Sequence, residues 1–567
     1  MRRLILILWG IFLTLYPIIA QDNDAVKNIS ELLAKDPEEL TDEELEHFSG
    51  LIKRNVYLNK AKRDELEACG IFTRYQVASL MDYRDRSGPC LSYLELATLD
   101  GFSEEFVKLI QSFVSLEFYD EQRRGMNNEV TARASLRSSY EQTRYGYTTR
   151  YKLKIGDALK TSLACSRSLD SEGISPDAIC GSIEVRMRKF PVSVVAGDFN
   201  ARFGQGLALW TGSDFTSLNS PSAFMRRHFG VTPSTSYTGN NTLTGMATEF
   251  TIRNLSLSAY LAMPGIKTLK SAPQKLRLQP AVNLNYAWRF GQAGVSHVMD
   301  FGGLGREMYI PTMKTSFDLS MCVQGVDVFS ELMFDWVAKT PSAVAGVVFP
   351  VKEIWSMAAL VRSYESEHKL ALSGSLNTRK HLSGTFSTEM TLYSIPKDKN
   401  QDMSAQLKFH TQWQYAMTEQ FHITVRLTER VRSWGQLLRS DLRSDLSWKS
   451  DSFIVTMRLN ALQCDNYSFL SYVEGGYKHA KLSVYIRQGI FFVDDWDDRI
   501  YAYERDVPGA YNSPAFYGRG LWTSLMSSWK VVDWCRLYFR AGYTSYPFMT
   551  EKKPGKAELR FQSIFDF

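Results

Sequence analysis

The chain has 567 residues, with 66 Lys and Arg against 61 Asp and Glu, and a net charge of +5. Phe, Trp and Tyr make up 13% of the chain, a high share for a soluble domain that suits a membrane barrel with aromatic rims. After residue 20 no apolar run reaches the length of a membrane-spanning helix. A membrane-spanning part of this chain would therefore have to be a closed β-barrel.

The N-terminus predicts an exported protein. Arg2 and Arg3 precede the apolar run Leu4–Ile19, and the small residue Ala20 follows, which is the order of a signal peptide occupying residues 1–20. The alternative is an uncleaved membrane anchor, but the run is short for one. No Cys follows the cleavage position, so we do not expect a lipoprotein anchor.

Residues 21–118 predict a small helical domain. Val26, Ile29 and Leu32 recur at helical spacing, and Thr41 stands three residues before Glu44, the spacing of a capping box. The domain is acidic, because residues 22–118 hold twenty Asp and Glu against eleven Lys and Arg, a net charge of −9.

Within this domain, residues 59–114 predict two short helical hairpins joined by a helix. This arrangement resembles the tandem helix-hairpin-helix domain of the competence DNA receptor (ComEA-like) family. The matching positions are Leu58-Asn59, Glu65-Leu66, Gly70, Tyr83-Arg84, Gly88-Pro89 and Gly101. The resemblance implies that backbone N–H groups of two turns approach a DNA phosphate. These turns are Gly70, Ile71 and Phe72, and Gly101, Phe102 and Ser103.

Two departures from the family pattern disfavour DNA binding. Phe72 and Ser103 stand where the family has the second glycine of each turn, and their side chains would obstruct a phosphate. The acidic charge of the domain would also repel DNA. We therefore favour a docking module for a periplasmic or envelope protein partner, with DNA as the alternative ligand.

From Glu129 onward the pattern alternates. In Ala405–Tyr415 apolar residues alternate with polar ones, which predicts a strand with two different faces. The strand Lys556–Phe567 ends on an aromatic residue, as bacterial outer-membrane barrels often do, with Phe565 and Phe567 on its apolar face. The sequence thus predicts a mainly β fold: a large antiparallel transmembrane barrel over residues 119–567, with roughly 24 strands and an even number. A soluble sandwich or propeller is the alternative.

The barrel segment is basic. Residues 119–567 carry a net charge of +12, which predicts either a basic lumen that favours anionic solutes or basic outer loops that bind lipopolysaccharide phosphates. We expect the barrel to lie in the outer membrane of a Gram-negative bacterium, in contact with lipid and lipopolysaccharide. With an even strand count, Phe567 and the helical domain share the periplasmic side.

A glycine-rich segment interrupts the strands between residues 197 and 245. We expect this segment to be either an outer loop or a part folded into the lumen, and glycines around Gln205 allow a tight backbone there. The residues that mark it are Gly197, Asp198, Phe203, Gly204, Gln205, Gly206, Leu207, Arg226 and Arg227.

A second distinctive run is Asp494–Asp506. Its first carboxylates could hold Ca²⁺, but the spacing is not that of a calcium loop, so we favour a solvated turn, and strand counting places it at the Phe567 rim. Both segments resemble outer-membrane barrels of Bacteroidota-type bacteria that carry a periplasmic helix-hairpin-helix domain. The matches are Gly197-Asp198-Phe199, Phe203–Leu207, Arg499–Tyr501, Tyr503-Glu504, Asp506, Tyr517-Gly518 and Gly520.

The Cys and His residues and the short motifs of the chain give little indication of a metal site or a catalytic centre. There are seven Cys, and we expect Cys165 and Cys180 to face each other across a hairpin, where a disulfide would be one outcome and two thiols the other. No Cys or His spacing fits a metal site, and no motif fits a catalytic centre or a cofactor. We therefore expect a protein that is not an enzyme and has no cofactor.

Two functions follow as hypotheses. The first is a channel, or a scaffold in an envelope complex, whose helical domain docks a partner or covers the barrel mouth. The second is DNA binding or DNA uptake across the outer membrane through the helical hairpins.

Overall fold

The structure is a computed structural model of the chain. It describes residues 24–33, 35, 37–117, 126–139, 142–156, 158–171, 173–187, 190–211, 217–234, 242–263, 276–304, 307–352, 354–378, 381–394, 403–433, 437–479, 481–550 and 553–567. The expected signal peptide, residues 1–20, lies outside the described residues.

The N-terminal domain is helical. Its helices are α1 (Asp24–Leu33), α2 (Asp42–Lys53), α3 (Arg63–Ala68), α4 (Arg74–Ser87), α5 (Tyr93–Leu96) and α6 (Glu104–Ile110), with a 3-10 turn at Pro37–Glu39. The capping box at Thr41 and Glu44 is confirmed, and it begins α2. Two short parallel strands, β1 (Val56–Tyr57) and β2 (Val114–Ser115), join the two ends of the hairpin region.

The rest of the described chain folds into 27 strands, of which 24 form the wall of a closed antiparallel barrel, and this confirms the predicted fold class. The other three are short: Gly230–Pro233, and the separate pair Ile500–Tyr501 and Ala515–Phe516. The strands are β3 (Met126–Ser139), β4 (Thr143–Ile155), β5 (Leu159–Arg167), β6 (Ala178–Arg186), β7 (Val192–Arg202), β8 (Gly230–Pro233), β9 (Leu243–Ile252), β10 (Leu255–Met263), β11 (Leu276–Trp288), β12 (Gly291–Leu304), β13 (Glu307–Val323), β14 (Val326–Asp335), β15 (Thr340–Lys352), β16 (Trp355–Tyr364), β17 (Glu367–Asn377), β18 (Leu382–Ser394), β19 (Met403–Ala416), β20 (Phe421–Arg432), β21 (Leu437–Lys449), β22 (Phe453–Gln463), β23 (Tyr467–His479), β24 (Leu482–Val493), β25 (Ile500–Tyr501), β26 (Ala515–Phe516), β27 (Gly518–Val532), β28 (Cys535–Ser545) and β29 (Lys556–Asp566).

The last strand closes the barrel. β29 pairs with β3 over eleven residue pairs, from Lys556 opposite Ser139 to Asp566 opposite Glu129. Its odd positions point outward, since Leu559 and Phe561 are exposed while Gln562 is fully buried. The two-faced pattern of the sequence therefore identified both the closing strand and its outer face.

Strand β7 leaves the wall partway along its length. Val192–Phe199 pairs with β9, whereas Phe199–Arg202 pairs with the short β8. β8 is thus an extra strand on the inside, and the described residues that follow β7 are directed into the lumen.

The wall has an apolar outside and a polar inside. In β10, for example, Leu255, Leu257 and Leu261 are exposed, whereas Ser256 and Ser258 are buried. Such an alternation gives lipid an apolar surface and gives the lumen hydroxyl groups. No described helix is long and apolar enough to cross a membrane.

The two ends of the barrel differ in their connections. At the end that carries Phe567, which we call the Phe567 end, neighbouring strands are joined by short turns such as Gln324-Gly325 and Asp533-Trp534. The opposite end, which we call the far end, carries the long connections 203–242 and 494–517. Phe565 and Phe567 stack with Trp534, which forms part of an aromatic rim at the Phe567 end.

The sequence placed the acidic run Asp494–Asp498 at the Phe567 rim, and this prediction is wrong. The run lies at the far end, where Trp496 contacts Tyr517 and Lys553 lies over the same Tyr517 ring. The error arose because β27 and β28 are joined by the two-residue turn Asp533-Trp534, which contains neither Gly nor Pro to mark it.

Of the two outcomes left open for Cys165 and Cys180, a disulfide or two thiols, the structure has two thiols. The two residues lie on the neighbouring strands β5 and β6, but Cys165 is opposite Ile179, and Cys180 is opposite Ala164. Because consecutive side chains of a strand point to opposite faces, one thiol faces outward and the other inward.

Candidate functional site

The helical domain lies inside the barrel, at the Phe567 end. Arg63 of α3 donates to Asn254 in a turn of that end at 3.2 Å, and Arg289 in the next such turn donates to Asp100 at 2.6 Å. The Tyr75 hydroxyl donates to Asp327, the second residue of β14, at 2.6 Å. These contacts lie along β9–β14, and the ion pairs of Glu46 with β4 and of Glu38 with β21 and β22 lie on other sides of the wall. The domain is therefore held within the wall rather than below it.

Glu46 of α2 anchors the domain to β4. Its carboxylate forms ion pairs with Arg150 and Lys152. Burial raises the pKa of Glu46, but these two cations outweigh burial and hold the pKa at about 2. Arg74 makes a second anchor of opposite sign, with its guanidinium 2.7 Å from the Glu249 carboxylate of β9. A buried ion pair is costly to break, because one charge would remain without its partner.

Glu38, in the 3-10 turn after α1, reaches the middle of the wall. Arg443 and Arg458 are the central residues of β21 and β22, and their guanidiniums lie 3.2 Å and 2.8 Å from Glu38 Oε1. The same two arginines bind Asp445 of the wall, at 2.7 Å and 2.6 Å. Burial opposes ionisation of Glu38, but Arg443 and other cations overcome it and lower its pKa.

The segment after β7, described at residues 203–211 and 217–233, traverses the lumen from β7 to β14, and we call these described residues the crossing loop. Backbone N–H groups of Gln205 and Leu207 donate to Glu331 of β14, at 2.7 Å and 3.1 Å. Gly204 and Gly206 have φ angles of +57° and +84°, which favour glycine, and this backbone forms a concave nest for the carboxylate. The glycine-rich sequence therefore binds a group of the barrel's own wall.

The remaining predicted residues of this segment occupy two places. Gly197 and Asp198 are in the wall, where the Asp198 carboxylate accepts from Gly181 N–H at 2.8 Å. Phe203 and Leu207 are buried inside the barrel. Arg226 lies over the Trp210 ring, with its guanidinium carbon 4.8 Å from the ring centre. Of the two alternatives left open by the sequence, the contacts of Gln205 and Leu207 with Glu331 favour a segment folded into the lumen over an outer loop.

The crossing loop meets the helical domain. Arg227 lies over the Phe106 ring at 5.1 Å and donates to the Leu32 carbonyl at 3.3 Å. Phe229 stacks on His47 of α2, with ring centres 6.3 Å apart. Burial lowers the pKa of Arg227 to about 10. The crossing loop therefore covers the side of the helical domain that faces the far end of the barrel.

His228 is a buried residue that the sequence did not single out. Its Nε2 lies 2.8 Å from the Gln292 amide nitrogen of β12. Burial, together with the charge of Arg74, lowers the pKa of His228 to about 3. This histidine is consequently neutral at physiological pH and forms part of the packing between loop, domain and wall.

The loop 494–517, which we call the late loop, also folds inward. Glu504 and Asp506 are buried and form ion pairs with Arg540 and Arg560 of the wall. Both belong to the positions that resemble the Bacteroidota-type barrels, Tyr503-Glu504 and Asp506, and these positions tie the loop to β28 and β29. Asp494, Asp495 and Asp497 are exposed, as expected of a solvated turn, whereas Asp498 is buried and accepts from two backbone N–H groups at 3.1 Å. Among the described residues, no cluster of acidic, Cys or His side chains is arranged to hold a metal ion.

The late loop also touches the helical domain. The Tyr511 hydroxyl donates to the Glu38 carbonyl, and the Tyr503 N–H lies 3.4 Å from the Glu38 carboxylate. Glu38 therefore contacts both the wall and a loop that reaches the far end.

The two hairpin turns proposed for DNA contact are packed inside the lumen. Ile71, Phe72 and Phe102 are buried, and Ser103 caps α6 by accepting from Phe106 N–H at 3.1 Å. A Cβ atom on Gly70 would lie 3.3 Å from Phe229 of the crossing loop, and one on Gly101 would lie 2.5 Å from Tyr75. These turns are used for packing within the protein, which leaves little room for a DNA backbone.

Two chambers remain beside the domain, on the side of β13–β24. One has a volume of about 600 Å³ and lies against the second hairpin. The other has a volume of about 640 Å³ and extends past Arg443 and Arg458. Both are lined by Lys108 and Ser222, so they are neighbours along one side of the domain. The lumen is therefore filled unevenly.

Sequence reasoning did not select Glu38, Glu46, Arg443 or Arg458. A signal was present in the strands, because an arginine on the polar face of a barrel strand must point into the lumen. Arg458, between the outward residues Met457 and Leu459, is such a case. The partner on the helical domain carries no comparable signal, since acidic residues are frequent throughout that domain.

No known family profile matches the sequence, and no curated protein matches it. Solved structures of similar shape include the siderophore receptor PirA from Pseudomonas aeruginosa, at 8% identity and a TM-score of 0.41, covering 78% of this chain and 80% of that one. The copper transporter OprC matches at 8% identity and a TM-score of 0.40, covering 80% and 82%. The outer membrane protein opdK from Pseudomonas aeruginosa matches at 8% and 0.31, covering 78% and 99%.

Proposed function

We propose that this protein is a gated channel of the Gram-negative outer membrane, whose lumen is closed by its own helical domain. The observation that carries the proposal is the contact of Glu38 with Arg443 and Arg458, at the middle of the wall. A barrel of this size would be an open pore without such a filling, because barrels of 16–18 strands already leave a water channel and those of 22 are plugged. Solute passage then requires the domain to move.

The orientation is part of the proposal. Outer-membrane barrels have short turns on the periplasmic side and long loops outside. The Phe567 end has the short turns, so we place it and the helical domain in the periplasm, and the crossing and late loops on the outside. The apolar outer face of the wall contacts lipid, and lipopolysaccharide surrounds the far end.

An envelope protein partner would act on the helical domain from the periplasm. Leu91 and Leu94 are 77% and 76% exposed in a domain whose other large apolar side chains are mostly buried, so they offer such a partner an apolar contact. We do not propose DNA as the ligand, because the two turns that motivated it are packed against Phe229 and Tyr75.

Conductance in planar bilayers tests the gate. We expect the wild-type channel to be closed and the double variant Glu38→Gln, Glu46→Gln to open, because both contacts with the cationic wall lose their charge. The matched control is Glu31→Gln, whose ion pair with Lys27 lies within α1. A wild-type protein that conducts as well as the double variant contradicts the proposal.

A cross-link separates domain movement from a general loosening of the barrel. The Asp100 carboxylate lies in the helical domain, and the Arg289 guanidinium lies in a turn of the barrel, 2.6 Å from that carboxylate. With Asp100→Cys and Arg289→Cys added to the double variant, a short thiol-reactive linker should return the channel to the closed state. The same reagent applied without the two new cysteines serves as the control. Openings that persist in the linked protein would show that current does not depend on the domain.

A further inference from the structure

The larger chamber has a strongly cationic lining. The wall and the helical side together contribute seven Lys and Arg, the late loop adds Arg505, and the acidic residues of the lining are three Asp and Glu. Such an excess in an enclosed space attracts anions and raises their local concentration. The chamber is also roomy, at about 640 Å³, which is within the usual range for small-molecule sites.

Two of these cations converge on one carboxylate. Arg443 Nη1 lies 3.2 Å and 3.3 Å from the two oxygens of Glu38, and Arg458 Nη1 lies 2.8 Å from Oε1. Asp445 holds the other sides of both guanidiniums, at 2.7 Å and 2.6 Å. The two arginines are thereby fixed in orientation, with one carboxylate from the wall and one from the helical domain.

Glu38 arrives at this site from a separate part of the fold. It belongs to a three-residue 3-10 turn, whereas its ligands Arg443 and Arg458 belong to the barrel wall. Chemically, its side chain is a carboxylate in an arginine pocket beside a chamber. A soluble carboxylate or phosphate would make the same charge-assisted hydrogen bonds with the same guanidiniums.

We propose that Arg443 and Arg458 form an anion-binding site for a carboxylate- or phosphate-bearing solute, and that Glu38 occupies this site in the closed protein. A solute anion in the chamber competes with Glu38 for the two arginines. Exchange of one anion for the other leaves the arginines paired and frees the 3-10 turn of the helical domain. This inference rests on the proposed gate, and it adds the chemical class of the solute that opens it.

Equilibrium binding to the purified full-length protein in detergent tests the site. The probes are citrate for the carboxylate, inorganic phosphate for the phosphate, and glucose as a neutral molecule, all measured by calorimetry at low salt. Glu38→Gln should bind an anionic probe about tenfold more tightly than the wild type, since the internal competitor has lost its charge. The preferred probe identifies which of the two anion types the site takes.

Two further variants make the result specific. Glu31→Gln removes a carboxylate that lines the same chamber but pairs with Lys27, so its affinity should equal that of the wild type. Adding Arg458→Gln to Glu38→Gln should abolish the gain. Thermal unfolding of each variant verifies that it is folded.

Several results would overturn the site. Glu38→Gln could bind anions no better than Glu31→Gln, glucose could bind as well as citrate and phosphate, or the Arg458→Gln double variant could retain the gain. The binding assay needs no pore, so it is independent of the gate. If Glu38→Gln binds anions tenfold more tightly but the channel does not open, the anion site is supported and the gate is refuted. If the channel opens but Glu38→Gln gains no affinity, the gate is supported and the anion site is refuted.

Discussion

Glu38 and Glu46 are both carboxylates of the helical domain, and each is held by two cations of the barrel wall. Their surroundings differ. Arg443 and Arg458, which hold Glu38, also bind Asp445 at 2.7 Å and 2.6 Å and line the larger chamber.

Arg150 and Lys152, which hold Glu46, also have a wall carboxylate nearby, that of Glu129. It lies further away than Asp445 does from its arginines, at 3.6 Å from Arg150 and 4.0 Å from Lys152. Neither of these two cations is part of the lining of the two chambers. The departure of Glu46 would leave two cations poorly compensated, whereas the departure of Glu38 would not. The comparison indicates that Glu46 anchors the domain and that Glu38 makes the exchangeable contact.

The largest expected effect comes from reversing the anchor. Glu46→Arg places a third cation beside Arg150 and Lys152, so we expect loss of docking worth about 3–5 kcal/mol and a permanently open channel. Trypsin should then cleave the domain while the barrel stays intact on a gel. A domain that remains protected and a channel that remains closed would show that Glu46 is not an anchor.

A smaller effect is expected at the exchangeable contact. Glu38→Gln should weaken docking by about 1–2 kcal/mol, because Asp445 still accompanies both arginines. The expected outcome in a bilayer recording is intermittent rather than permanent opening. If Glu38→Gln opens the channel as fully as Glu46→Arg, the distinction between the two carboxylates is wrong.

A third carboxylate of the same domain serves as the control for both stability and channel opening. Glu31 pairs with Lys27 at 3.7 Å, and both side chains are about half exposed. Such a pair contributes little, so Glu31→Gln should change the free energy of unfolding by no more than about 0.5 kcal/mol and should not open the channel. Opening of this variant would mean that negative charge on the domain matters in general, rather than the two specific contacts.

The smallest effect is expected for a change from pH 8 to pH 5. The folded pKa of Glu46 is about 2, below its ordinary value of 4.5, so its contribution to docking is complete above pH 4.5 and is lost as the pH falls towards 2. The pKa of Glu38 is shifted in the same direction. Protease protection of the domain should therefore be equal at pH 8 and pH 5. Release of the domain within that interval would contradict the assigned carboxylate contacts.

Much of the architecture could be predicted because barrel strands carry their own pattern. The alternation in Phe453–Asn460 is confirmed, since Val455 and Leu459 face outward and Arg458 and Asn460 face inward. The capping box of α2 is likewise a local signal. The position of the late loop was wrong because a turn without Gly or Pro, at Asp533-Trp534, gives no such signal.

The candidate site could not be predicted, because its parts are far apart in the sequence. Glu38 and Arg458 are 420 positions apart, and nothing in either neighbourhood specifies the other. The opposite net charges of the helical domain and the barrel favour attraction between them. Net charge alone does not predict whether the domain binds at the rim of the barrel or inside its lumen. The nest around Glu331 was equally hidden, since glycines at 204 and 206 fit a surface loop as well as an internal one.

The seam of the barrel has a consequence for biogenesis. Asn127 of β3 donates to Asp566 of β29 at 2.7 Å across 439 positions of sequence, so the wall cannot become a closed ring until its last strand has been made. Pairing over such a separation is slow, because the loop entropy is lost before the contacts form. The helical domain precedes β3 and is synthesised first. The hydrophobic core of that domain joins residues no further apart in the chain than Ile29 and Val114, so we expect the domain to fold before the seam closes and to act as a template for assembly as well as a gate in the finished protein.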